Sequence, residues 1–190
     1  MMWARVLRLV LLVLLAVPAL AWFVVKPVRV VAPEVVGMIC PQTFLCVETA
    51  ASEPQAFGLY DEARAFVDGR VGPLEGQPRV VFCSSEDCAN RFGLGDRSAV
   101  TFGTLGTVIG PRAWKPYYVR HELIHHLQGQ RFGVLRRLFM PSWLIEGMAY
   151  TLSQDPRPTL AEPWQAHRTH FTDWLARIGP ERMWQEAAGL

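Results

Sequence analysis

Residues 114–132 read WKPYYVRHELIHHLQGQRF and are followed by Gly133; the rest of the chain is interpreted outward from them. The segment is predicted as one helix, with Gly133 as its C-terminal cap. His121 and His125 are four residues apart, so on a helix they lie one above the other on the same face. Leu123 and Ile124 point the other way and are expected in the core. Two imidazoles on one face, with Glu122 beside the first, make the His-Glu-x-x-His pattern of a metal site.

That pattern has a chemical reason. His121 and His125 can aim at one ion, with Zn2+ the expected cofactor, while Glu122 reaches the metal-bound water without ligating the metal. Zinc lowers the pKa of such water to about 7, and Glu122 as general base takes its proton. A string this short also arises by chance in helices, where it means two surface histidines and a salt-bridged glutamate. Here three of the five histidines fall at 121, 125 and 126. A catalytic zinc needs a third protein ligand and an open fourth position. Residues 141–150, PSWLIEGMAY, begin a second predicted helix and supply Glu146. It is a charge inside an apolar run, where an unpaired carboxylate would be costly. Gly147 beside it is expected to let the two helices approach closely.

HELIH followed by Pro141-x-Trp143-Leu144-x-Glu146-Gly147-Met148-Ala149 resembles the gluzincin metallopeptidases, and in particular small bacterial membrane-anchored zincin-like proteins. The resemblance covers roughly residues 80–155. It implies that His121, His125 and Glu146 are zinc ligands, that Glu122 is the base, and that the reaction is peptide-bond hydrolysis. It also implies that Thr107-Val108-Ile109 is the sheet-edge strand along which an extended peptide binds. The place four residues after the ligand glutamate, an Asp in some gluzincins, is Tyr150. Asp155 and Asp173 are the alternative acceptors for a ligand imidazole. Tyr117 and Tyr150 are candidate oxyanion donors, with Tyr118 nearby; core or interface packing is the bland alternative for each. His126 reads as a solvated or supporting residue, and His167 and His170 as members of a polar helix face.

The rest of the chain fits an α+β reading, a zincin-like domain with a small mixed sheet followed by the two site helices. Strands are expected at 44–49, 79–83, 99–102 and 107–109. Helices are expected from Glu53 through Val67, from Ser84 or Ser85 to Phe92, and over 163–178 and 180–188. Pro27 to Glu34 is expected to be an extended stem. The formal net charge of the 190 residues is +2, which argues against a nucleic-acid binder working through a basic face. Apolar residues make up 51%, enough for a core, so wholesale disorder is excluded.

Part of that apolar content is local. Leu9 to Val25 carries no charge and reads as an N-terminal transmembrane helix at the short limit of length. A cleaved signal peptide ending near Ala19-Leu20-Ala21 is the alternative. Residues 1–26 are thus expected as anchor and 27–190 as the metallopeptidase domain. Either reading puts the domain outside the cytoplasm, anchored or secreted. Cys40, Cys46, Cys83 and Cys88 form two close pairs and are read as disulfides, with a four-cysteine zinc site as rival. The partners expected are a peptide or protein substrate, the membrane and an accessory envelope protein. Two other classes remain open: an inactive zincin-like domain that binds peptide or envelope protein, and a structural zinc site closed by His126 or a thiol.

Overall fold

The computed structural model describes residues 25–190 throughout and, before them, residues 3, 6, 7, 10, 12–14, 16 and 17. The apolar run Val80–Phe82, two β-branched valines and a phenylalanine, forms β3, the middle strand of a five-stranded sheet. Around it lie β1 (Ile39–Gln42), β2 (Leu45–Val47), β4 (Ala99–Phe102) and β5 (Gly106–Ile109), in the order β1-β2-β3-β5-β4. The three inner strands run parallel, and the two edge strands, β1 and β4, are antiparallel to their neighbours. Alternation along the inner strands divides the core. Leu45, Val47, Val80, Phe82 and Ile109 face one hydrophobic cluster, and Cys46, Val81 and Val108 face another. Burial on both faces explains why these strands read as unbroken apolar runs.

The first face is covered by α1 (Glu53–Arg70) and α3 (Pro116–Phe132), and α5 (Ser142–Leu152) and α6 (Trp164–Ile178) extend that cluster. The second is covered by the N-terminal turns and α2 (Glu86–Arg91). Short helices α4 (Val134–Arg137) and α7 (Met183–Ala187) complete the chain. Both disulfides, Cys40–Cys46 and Cys83–Cys88, are formed on the second side. They pin β1 to β2 and β3 to α2. Glu48, just past β2, adds a polar clasp: its carboxylate accepts from the backbone N–H and hydroxyl of both Ser84 and Ser85. Ser85 in turn caps α2 through the Cys88 N–H.

Several expectations need correction. Among the described residues no helix is long and apolar enough to cross a membrane, so the N-terminal transmembrane helix drops out of the fold description. The physical reason is reach: seventeen residues at 1.5 Å each make about 25 Å, short of a roughly 30 Å hydrocarbon core. Residues 9, 11, 15 and 18–24 of that run, with the Ala19-Leu20-Ala21 cleavage site, lie outside the described residues. Helices are interleaved with the strands, so the architecture is mixed α/β rather than α+β. The stem is two 3-10 turns, Lys26–Val31 and Pro33–Val36, because the φ that proline fixes suits a tight turn as well as an extended chain. Thr107–Ile109 belongs to β5, an inner strand; the edge beside the site helix is β4. β1 contains Pro41, which a sheet tolerates at its rim.

Candidate metal centre

Two backbone devices seat α3. Gly133, at φ 81°, ends the helix by giving its N–H to the Gly129 carbonyl. Gly129 itself lies against the β4–β5 turn, where a Cβ would come within 3.1 Å of the Thr104 methyl. The helix is thereby laid directly beside the edge of the sheet. Leu123 and Ile124 are fully buried in the main cluster, and His121 and His125 emerge on the opposite side.

There they meet Glu146 of α5. His121 Nε2 and His125 Nε2 are 3.0 Å apart, and Glu146 Oε2 lies 3.7 Å from the first and 3.5 Å from the second. Two nitrogens and an oxygen bound at about 2.0–2.1 Å to a tetrahedral ion should be separated by about 3.3–3.4 Å. The observed triangle has that size. Three such atoms this close need a shared proton or a cation among them. His121, His125 and Glu146 therefore fit a small divalent cation with a fourth position left for water or substrate.

Electrostatics describe how the three groups share charge when a proton lies among them. Burial and the like charge of His125 press His121 down to about 3. Burial acts against charge on His125 as well, but the Glu146 hydrogen bond and charge outweigh it and raise the imidazole above its ordinary value. Burial would raise Glu146, yet the His125 hydrogen bond and the charge interactions with His125, His121 and Arg137 pull it down to about 2. The trio thus holds positive charge on one imidazole beside an ionised carboxylate.

Gln128 supplies what the sequence reading lacked, a partner that orients a candidate ligand. Its side chain is fully buried. Its amide N–H donates to the Ile145 carbonyl at 2.8 Å, which turns Oε1 toward His125 Nδ1 at 2.8 Å. With Nδ1–H donating there, Nε2 is the nitrogen presented to the centre. The same amide ties α3 to the residue before Glu146. The sequence offered only its spacing, three residues after His125 and one turn along the same face; its burial is visible in the structure alone. Replacing Gln128 by Leu keeps the volume and removes both bonds; we expect zinc affinity to fall about 10–100-fold, as for other partners of ligand imidazoles. Competition with a chelating dye would measure it, and unchanged affinity would deny Gln128 this role.

Glu122 is buried, and its Oε2 accepts from the Thr101 hydroxyl at 2.7 Å. Thr107, paired with Thr101 across β4 and β5, lies 2.8 Å from it through its own hydroxyl. Burial pushes the Glu122 carboxyl above its ordinary value, against the pull of His125 and of the Thr101 hydrogen bond. Nothing in the local sequence linked these threonines to Glu122, because the contact depends on which strand lies beside α3.

A cavity of about 360 Å³ opens over His121 and Glu122, bounded by Ser98 and Ala99 at the start of β4 and by Tyr117, Tyr118 and Tyr150. Tyr150 meets His121 edge to face at 4.4 Å. Burial first, and the Glu146 charge second, push its phenol up to about 12, so it stays protonated and can donate. Tyr117 stacks on Tyr118 at 4.7 Å, also in the cleft. Asp155 is gripped by Arg157, whose guanidinium lies over all three tyrosine rings. Asp155 therefore borders the site as an ion pair and accepts from no imidazole among the described contacts. Asp173 is exposed elsewhere, on α6. His126 is buried with an unpartnered Nδ1 and lines a different cavity. His170 stacks on Trp143, and His167 meets Trp164 edge to face with its Nδ1 buried and unpartnered, so it is not simply part of a polar face. Gly147 does allow a close approach, but of α6: a Cβ there would sit 2.3 Å from the His167 carbonyl oxygen.

Comparison with known proteins finds no matching family model, no matching curated protein and no matching solved structure. The case for function rests on the site itself.

Proposed function

We propose that the protein is a zinc-dependent hydrolase of peptide bonds working in an oxidising compartment. The observation that carries the reading is the triangle of His121, His125 and Glu146, with the buried carboxylate of Glu122 one residue from the first histidine. Three protein ligands leave the open position that separates catalytic from structural zinc sites. No cysteine is available to close the trio, since all four are in disulfides. The disulfides also favour an extracytoplasmic setting.

Zinc held by this trio would supply Lewis acidity toward a water and a substrate carbonyl. The protein's own groups do the rest. Glu122 accepts a proton at its carboxylate and passes it to the departing amine, while the Thr101 hydroxyl fixes its orientation. Gln128 holds the His125 ring in place. The neutral Tyr150 hydroxyl is the candidate donor to the developing oxyanion, with Tyr117 second. The free side of edge strand β4 offers backbone groups to an extended chain beside the cleft.

The test pairs metal analysis with a peptide-library cleavage assay on the full chain. One zinc per chain, with cleavage lost to a chelator and restored by zinc, is the expected result. Stoichiometric zinc without cleavage would favour the inactive peptide-binding alternative, and no bound metal would reject both.

A further inference from the structure

We infer that the turn carrying Leu135, Leu138 and Phe139 docks this domain on an anionic phospholipid bilayer. After Gly133 the chain makes the single turn α4 and a tight continuation to Met140. Exposures here are 76% for Leu135, 72% for Leu138 and 88% for Phe139. A turn that leaves such side chains in water needs a reason. Laxity is not the reason, because the turn is built. The N–H groups of Leu138, Phe139 and Met140 each donate to the carbonyl three residues back. Met140 is buried, and Arg137 donates to the His125 carbonyl at 2.9 Å. The apolar tips are held outward by a fixed frame.

The apolar surface continues around the neighbouring hairpin. Val134 packs over Gly103 in the β4–β5 turn, close enough that a Cβ there would lie 3.0 Å from its methyl. Leu105 in the same turn is exposed, and it shares a shallow cavity with the half-exposed Val31. Charge identifies the occupant. From Leu123 to Ile145 the chain has no Asp or Glu but carries Arg131, Arg136 and Arg137. Arg131 and Arg136 are exposed. Glu75 stands at the far rim of the shallow cavity, where its backbone is paired with the Gln130 amide. Protruding apolar tips beside exposed arginines match the boundary between acyl chains and anionic headgroups. A second copy would bring the same cations face to face. A few side chains on one turn also fall short of the roughly 20–30 residues a side of a standard protein interface.

Docking does not depend on the hydrolase reading. Because Arg137 ties the turn to the carbonyl of His125, a bilayer seated there would lie beside the candidate centre. Chains held at a membrane surface would then reach the cleft most readily.

The four cysteines are all paired, so one introduced cysteine can carry an environment-sensitive fluorophore. Full-length protein is labelled through Phe139→Cys and, as a control, through Gln55→Cys, on exposed α1 surface away from this turn. Vesicles of phosphatidylcholine with phosphatidylserine should blue-shift and brighten the label at 139, and brominated lipid should quench it. The label at 55 should not respond, and pure phosphatidylcholine should act weakly on either. Leu135→Ser with Leu138→Ser should lower vesicle affinity read at 139 by about tenfold or more. Three results would overturn the inference: no vesicle binding, binding with the label at 139 still in water, or a label shielded without lipid in a dimeric protein.

Discussion

Glu122→Gln is expected to lower kcat for peptide cleavage by about 10²–10⁴, the usual contribution of a positioned general base, and to leave one zinc bound per chain. The two side chains have nearly the same shape. The glutamine carbonyl can still accept from Thr101, so the contact between α3 and β4 survives. What it cannot do is take a proton. Burial raises the Glu122 carboxyl above its ordinary value, which makes it a stronger base, and the substitution discards that basicity. Thr101→Val makes a graded comparison: it leaves the carboxylate but frees its orientation, and a smaller loss is expected. Activity surviving Glu122→Gln at near wild-type kcat would remove Glu122 from the mechanism, whatever the metal content proved to be.

These contrasts show where the sequence was informative. His121 and His125 could be placed on one face because helical periodicity is local, and Glu146 stood out as a charge in an apolar run. Strand β3 was legible for a similar reason: an apolar Val-Val-Phe triplet buried on both faces leaves no polar alternation. Relations between distant segments were not legible. The edge strand was misassigned because Thr107–Ile109 and Ala99–Phe102 are both short β-prone stretches, and only sheet order distinguishes an inner strand from a rim. Gly147 announced a close approach, but the helix that makes it is α6, not the site helix α3 expected from the sequence. The Thr101–Glu122 contact depends on a strand crossing twenty-one residues upstream. Gln128 lay in plain view, yet a glutamine on a helix has no meaning until its burial is known.

Loss of Glu146 should weaken metal binding as much as loss of either histidine of the trio. Glu146→Ala is expected to cost more than the 10–100-fold assigned to Gln128→Leu, because it removes one of three bonds to the ion rather than a support for one. It should match His121→Ala and His125→Ala. A ligand that binds only the folded state stabilises it by about 2.7 kcal/mol at one hundred times its dissociation constant. Zinc added at that level should therefore raise the Tm of the native chain, and the increase should disappear in Glu146→Ala at the same concentration. Glu146→Gln keeps the side chain's bulk between α3 and α5, so it separates loss of the ligand from loss of packing. If Glu146→Ala still binds zinc fully, another residue must complete the set. His126 opens to a separate cavity, Asp173 is exposed on α6, and Asp155 is held by Arg157. Each would have to move to serve, so retention of zinc would mean that the trio is not the metal site at all.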